Sequence, residues 1–125
     1  MKLKLPQDIT PYEPDPLARP AAAGLVDGLY VYVQDELGVV VVLEDGPHVH
    51  PKVLGRSRPA MYAGDMTVCA GQVVDLTNLS GTFQFDDPQG LVDVSEQLRR
   101  QGLEVVPGAI RFFTWDGSTP PRVLA

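Results

Sequence analysis

LYVYVQDELGVVVVL, residues 29–43, decides the architecture. Leu29-Tyr30-Val31-Tyr32-Val33 and Val39-Val40-Val41-Val42-Leu43 are β-branched and aromatic runs of strand length, and Asp35-Glu36-Leu37-Gly38 between them is a turn of hairpin length. A strand with one wet face alternates apolar and polar residues. These two runs are apolar on both faces, so the hairpin is expected in the middle of a sheet, covered on each side. Glu44-Asp45-Gly46-Pro47 ends it.

Downstream, Met61 to Val68 and Val73 to Leu76 read as a second hairpin turned by Ala70-Gly71-Gln72. Gly64-Asp65 inside its first strand predicts a bulge, because an interior glycine weakens pairing and often marks one. Thr82-Phe83-Gln84-Phe85 alternates as a half-buried strand does. The single convincing helix runs from Pro88 to Gln101. Asp87 suits its N-cap, Pro88 its first position and Asp86 the positive end of its dipole. Leu91, Val94 and Leu98 form one apolar stripe, Glu96, Arg99 and Arg100 face water, and Gly102 fits a left-handed C-terminal cap. Ile110 to Trp115 reads as a last strand, and Ser118 to Ala125 as a polar, proline-broken tail.

Upstream, residues 1–23 form a Pro-rich strap with Pro6, Pro11, Pro14, Pro16 and Pro20, which rule out a helix. Pro11-x-x-Pro14 meets the minimal pattern of an SH3 ligand, but a strap over the domain surface is the simpler reading. Residues 24–125 then make one strand-rich domain. The fold class expected is α+β: an antiparallel sheet or partial barrel with one packed helix.

Bulk properties narrow the function. A chain of 125 residues is long enough for one real core, and 44% hydrophobic residues places it among globular proteins. The net charge of −6, with Lys and Arg scattered, argues against a phosphate-tracking surface and hence against nucleic acid; it suits a basic partner. Cys69 is the only cysteine, so no intrachain disulfide forms. The first residues lack the apolar core of a secretory signal, and Val39 to Leu43 is far too short to span a bilayer. A cytoplasmic chain without membrane contact is expected.

Residues with chemical potential concentrate between His48 and Phe83. His48-Val49-His50 would set two imidazoles on one face of a strand, the spacing of cupin metal sites. The Lys52, Val53 and Leu54 that follow supply no glutamate, and the chain has no third histidine. Asp65 or Asp75 can add oxygen ligands, but two histidines alone hold zinc poorly, so no metal and no cofactor are expected. Lys52 and Arg56, with Arg58, make a short positive loop beside His50 able to hold an anion. Cys69, with Asp65 and Asp75 near in sequence, reads as a small buried hydrophobe rather than a nucleophile. Asn78-Leu79-Ser80-Gly81 lacks the strand–elbow–helix context of a catalytic serine and reads as a turn.

The order of these pieces resembles a domain of bacterial secreted effectors and toxin-like proteins that also occurs in plant calmodulin-binding proteins with IQ motifs. There a His-Ser-Ser-x-Leu-x-Gly segment precedes an Ala-Ala-Gly-Glu hairpin, a Ser-Gly-His-Tyr corner and a helix. Here His50-Pro51-Lys52-Val53-Leu54-Gly55, Ala63-Gly64-Asp65, Ser80-Gly81-Thr82-Phe83 and Leu91 to Gly102 stand at those places, across about residues 28–105. Pro51-Lys52 replaces the serine pair, and Thr82-Phe83 replaces the His and Tyr. The resemblance implies a degenerate member that keeps the scaffold and has lost the polar corner.

The expectation is therefore a non-catalytic binding or interaction module with a protein partner, using His48, His50, Lys52, Arg56 and Asp65 as its binding residues. A small enzyme with His50 as general base near Ser80-Gly81 is the alternative, and a cupin-like metal protein the third reading.

Overall fold

A computed structural model of the chain describes residues 3–5, 12–45, 50–56, 58–80, 83, 85–114 and 122–123, with the backbone alone at His50, Pro51 and Arg122. The strands are β1 (Arg19–Pro20), β2 (Gly28–Gln34), β3 (Val40–Glu44), β4 (Tyr62–Cys69), β5 (Gln72–Thr77), β6 (Glu104–Val105), β7 (Ile110–Phe112) and β8 (Arg122–Val123). The helices are α1 (His50–Leu54) and α2 (Pro88–Arg100). The strands form one open sheet in the order β1-β3-β2-β4-β5-β7-β8, with β6 also on β5. Pairing is antiparallel except where β5 meets β6 and β7. Those two contacts are parallel because α2 carries the chain back across the sheet before they form. The protein is an α+β fold with a strand-rich mixed sheet and one prominent helix.

The central hairpin stands where its sequence places it. β2 pairs with β3 from Tyr30↔Glu44 to Gln34↔Val40 and with β4 from Gly28↔Val68 to Gln34↔Tyr62. Every residue from Tyr30 to Gln34 is buried, as both-sided apolarity requires. Alternation sends Tyr30, Tyr32, Tyr62, Met66 and Leu76 to one face and Val31, Val33, Ala63, Asp65 and Asp75 to the other.

The first face lies under α2. Asp87 caps this helix, its Oδ1 accepting from the Gln89 N–H at 3.0 Å, and Leu91, Val94, Ser95 and Leu98 are buried. Gly102, at φ +102°, releases the chain at the other end. The Gln101 side chain ties this end to the sheet: its amide donates to the carbonyls of Ala21 and Val40 and accepts from the Val40 N–H. The second face, with Val31, Val33 and Leu43, is left to α1, which packs on β2 and β3 and buries Val53 and Leu54.

Several expectations are corrected. No bulge lies at Gly64-Asp65: β4 runs in unbroken register along β2, and the irregularity falls between Thr67 and Val68 on the β5 side. Gly64 is there for space instead. The Tyr32 ring crosses it so that the hydroxyl donates to the Thr77 carbonyl at 2.6 Å, and a Cβ at Gly64 would stand 1.9 Å from that same oxygen. His50 begins a helix rather than lying in a strand, since the following residues wind into α1; His48 and Val49 lie outside the described residues. Phe83 and Phe85 are buried but irregular: the Phe83 N–H donates to Ser80 Oγ and the Phe85 carbonyl accepts from the Asn78 side chain, so loop side chains hold their main chain; Thr82 and Gln84 lie outside the described residues.

The last predicted strand ends at Phe112, and Arg122–Val123 of the expected tail pairs with it as β8; Trp115 lies outside the described residues. Cys69 is exposed, not buried, because it is the last residue of β4 beside the turn. β1, β6 and α1 are too short to carry a periodic signal.

Candidate functional site

Two of the expected binding residues contact another segment of their own chain. Lys52 Nζ lies 5.6 Å from the centre of the Tyr12 ring, and Arg56 Nη2 donates to Glu13 Oε2 at 3.1 Å. The Asp15 N–H donates to the Lys52 carbonyl and the Arg56 N–H to the Tyr12 carbonyl, so residues 12–15 are clamped along α1 and its end. The positive segment read as an anion loop thus meets an aromatic ring and a carboxylate of its own chain.

Asp65 sits mid-strand on β4, opposite Val31. Partial burial, with Asp45 and Asp75 adding repulsion, pushes its carboxyl up to about 6. Asp75 has a partner: Arg111 grips it through Nε at 2.6 Å and Nη2 at 2.8 Å, and lies over the Phe113 ring.

Ser80 is buried, its Oγ accepting from the Phe83 N–H at 3.1 Å, as a turn-forming serine does. Asn78 next to it is fully buried. It donates to the carbonyls of Phe85 and Phe113 and accepts from the Phe113 N–H, locking the loop to the end of β7. His48 and the His50 side chain lie outside the described residues. Lys52 and Arg56 are on the α1 clamp, Asp65 is within the sheet and Ser80 is in the β5–α2 loop, so the expected site residues belong to separate elements. Among the described residues no cluster of three or more His, Cys, Asp or Glu side chains is placed to hold a metal ion.

A concave site forms elsewhere, at the N-terminal end of α2. Tyr62, the first residue of β4, stacks on Phe85 with ring centres 4.8 Å apart and planes at 25°. The Tyr62 hydroxyl donates to the Asp87 carbonyl at 2.8 Å, which ties this floor to the helix cap. Gly90 makes the fit possible, since a Cβ there would stand 2.4 Å from the Tyr62 ring. Together with Gln34 and Met61, these residues line a cleft of about 610 Å³, rimmed by Asp86, Asp87 and Asp93. Asp87 and Asp93 each accept from Gln89, through its backbone and side-chain amide respectively.

A cation already reaches this cleft. Lys4 pairs with Ala60 in an antiparallel bridge, N–H to carbonyl at 2.8 Å in both directions, and its Nζ lies 5.2 Å from the centre of the Phe85 ring. A cation over an aromatic face at that range is worth about 0.5–1 kcal/mol at an open site, more when water is excluded. Burial first, then the charges of Asp87 and Asp86, hold the Tyr62 phenol well above its usual range. It therefore stays neutral, a hydrogen-bond donor rather than a base. The described lining contains no histidine, cysteine or serine. Beside Lys4, Gln34, Met61 and Gly90 it presents three carboxylates and two aromatic faces, groups that attract positive charge.

In the sequence Asp86 and Asp87 read only as capping residues, and Lys4, Tyr62 and Asp93 carry no sign of a role. One signal was legible: Gly90 falls in the first turn of the helical pattern, where glycine costs stability against alanine and so points to a reason in packing. Among the described residues no helix is long and apolar enough to cross a membrane. Compared with protein-family models, curated proteins and solved structures, the chain finds no match.

Proposed function

We propose that this chain is a non-catalytic binding module whose working surface is the cleft at the start of α2, and that its ligand presents a cationic group. The observation that carries this reading is the stacked Tyr62–Phe85 floor beneath three carboxylates, with a lysine of the same chain already held over it. The net charge of −6 supports it, because a negative protein draws positive partners toward a cleft of its own sign. So does the composition of the described lining, which offers charge and π faces and, among the described residues, no nucleophile with an adjacent base. The likeness to effector-type domains is, on this reading, one of scaffold: Phe83, standing where that family carries a tyrosine, is a core residue here.

Titration of the protein with lysine amide, followed by nuclear magnetic resonance, tests the reading. Saturable shifts are expected at the Tyr62 ring and the Gly90 amide, weakening as salt rises. An Asp86→Asn/Asp93→Asn double variant, which alters two exposed rim residues and leaves the N-cap Asp87 alone, is expected to lose most of the effect. Equal shifts in parent and variant, or none in either, would overturn the proposal.

A further inference from the structure

We infer that the occupant for which this cleft is built is an extended segment of another polypeptide carrying a lysine, and that residues Leu3–Leu5 are its internal stand-in. This rests on the cationic-ligand reading above and goes further, by naming the ligand's backbone as well as its charge. Lys4 makes two kinds of contact at once. Its main chain exchanges both hydrogen bonds with Ala60, one rung of an antiparallel ladder, and its ammonium reaches over Phe85 into the cleft. Ala60 stands just ahead of β4, whose first residue, Tyr62, forms the floor, so the rung and the ring are held in a constant relation. Any strand with a lysine at the rung position presents the same donor, acceptor and cation. Main-chain bonds supply affinity in such strand addition, and the side-chain pocket supplies selectivity.

Three features point to a replaceable occupant. The neighbours of Lys4 anchor little, since Leu3 and Leu5 keep 43% and 67% of their surface exposed. The rim carries Asp86, Asp87 and Asp93 against the single described cation, so charge remains for a ligand with more than one basic group. The cleft also keeps about 610 Å³ of open volume with Lys4 on its wall. Residues 3–5 therefore compete with the partner for one seat, and the affinity for the partner is reduced by the fraction of time the seat is taken.

The test uses the full chain and a Lys4→Gln variant, which keeps the backbone rung and removes the ammonium. The probe is a capped Ser-Val-Lys-Val-Ser peptide, measured by calorimetry and by amide shifts. The variant is expected to bind the peptide about tenfold more tightly than the parent, with shifts at Ala60 and Gly90 together. A peptide with glutamine in place of lysine is expected to lose that gain. Equal affinities for parent and variant, or peptide shifts that spare Ala60, would overturn the inference. In that event lysine amide still shifting Tyr62 and Gly90 would leave the cationic cleft standing; loss of both responses would remove both. Self-association of the parent that the Lys4→Gln change abolishes would make the occupant a second copy of this chain, and would also overturn the inference.

Discussion

The two faces of the sheet solve the same problem in different ways. Under α2, Tyr30, Tyr32, Tyr62, Met66, Val68 and Leu76 are almost wholly buried, and the polar atoms of this face find fixed partners: the Tyr32 hydroxyl on Thr77, the Tyr62 hydroxyl on Asp87, the Tyr30 hydroxyl on Val26. The reverse of β4 and β5 carries Asp65, Thr67 and Asp75, half-buried, with Arg111 gripping Asp75. The dry face binds its tyrosines by burial and lets one aromatic pair emerge at the end of the helix, where the cleft opens. The second face is covered by α1 over β2 and β3, and its wet part, on β4 and β5, holds charge in place at little gain in stability. One strand, β4, feeds both through its alternation, so substitutions only one residue apart are expected to behave oppositely.

The largest effect belongs to the dry face. Leu98→Ala is expected to cost about 2–5 kcal/mol in chemical denaturation, as buried leucine truncations do. A loss below about 0.5 kcal/mol would mean that α2 does not seal this face. Gly64→Ala comes next. The added carbon has nowhere to go without moving Thr77 or the Tyr32 ring, so a loss of about 1–3 kcal/mol is expected, although alanine suits a strand better than glycine. A neutral result would show that Tyr32 does not cross β4 as described.

One residue further on, Asp65→Asn should raise stability. The Asp65 carboxyl is pushed up to about 6 from an ordinary 3.8, so the folded chain keeps a proton that the unfolded chain releases. Its share of stability is therefore greatest below about pH 4, falls as pH rises from about 4 to 6, and stays lowered above that. Because the group is partly open to solvent, the gain for Asn at pH 7 is put at about 1–2 kcal/mol rather than the full value of the shift. Melting curves at pH 4 and pH 7 check it: the gain must appear at pH 7 and shrink at pH 4.

The smallest effect is expected at Asp75 and Arg111. Despite two short bonds, both side chains keep much of their surface in water, 29% and 41%. A double-mutant cycle with Asp75→Asn and Arg111→Gln should return a coupling of about 0.2–1 kcal/mol. A coupling several times larger would make the wet face a structural element in its own right.

What this sequence determined alone is local and periodic. Tyr30 to Val33 are buried on both faces, as are Val40, Val42 and Leu43 with Val41 partly so, because strand alternation left no polar residue for water to solvate, and Asp87-Pro88 opens α2 because capping involves only neighbours along the chain. The candidate site was not legible in this way. Residue type alone suggests the histidines, Lys52, Arg56 and Ser80; the chain uses Lys52 and Arg56 to hold residues 12–15, and Ser80 to turn a loop. Tertiary structure alone decided that Lys4, Tyr62, Phe85 and Asp93 meet. They come from four separate places in the chain, and no sequence period links them. Their meeting depends on a strand start, a loop and a helix end converging where Gly90 has no side chain to keep the Tyr62 ring away.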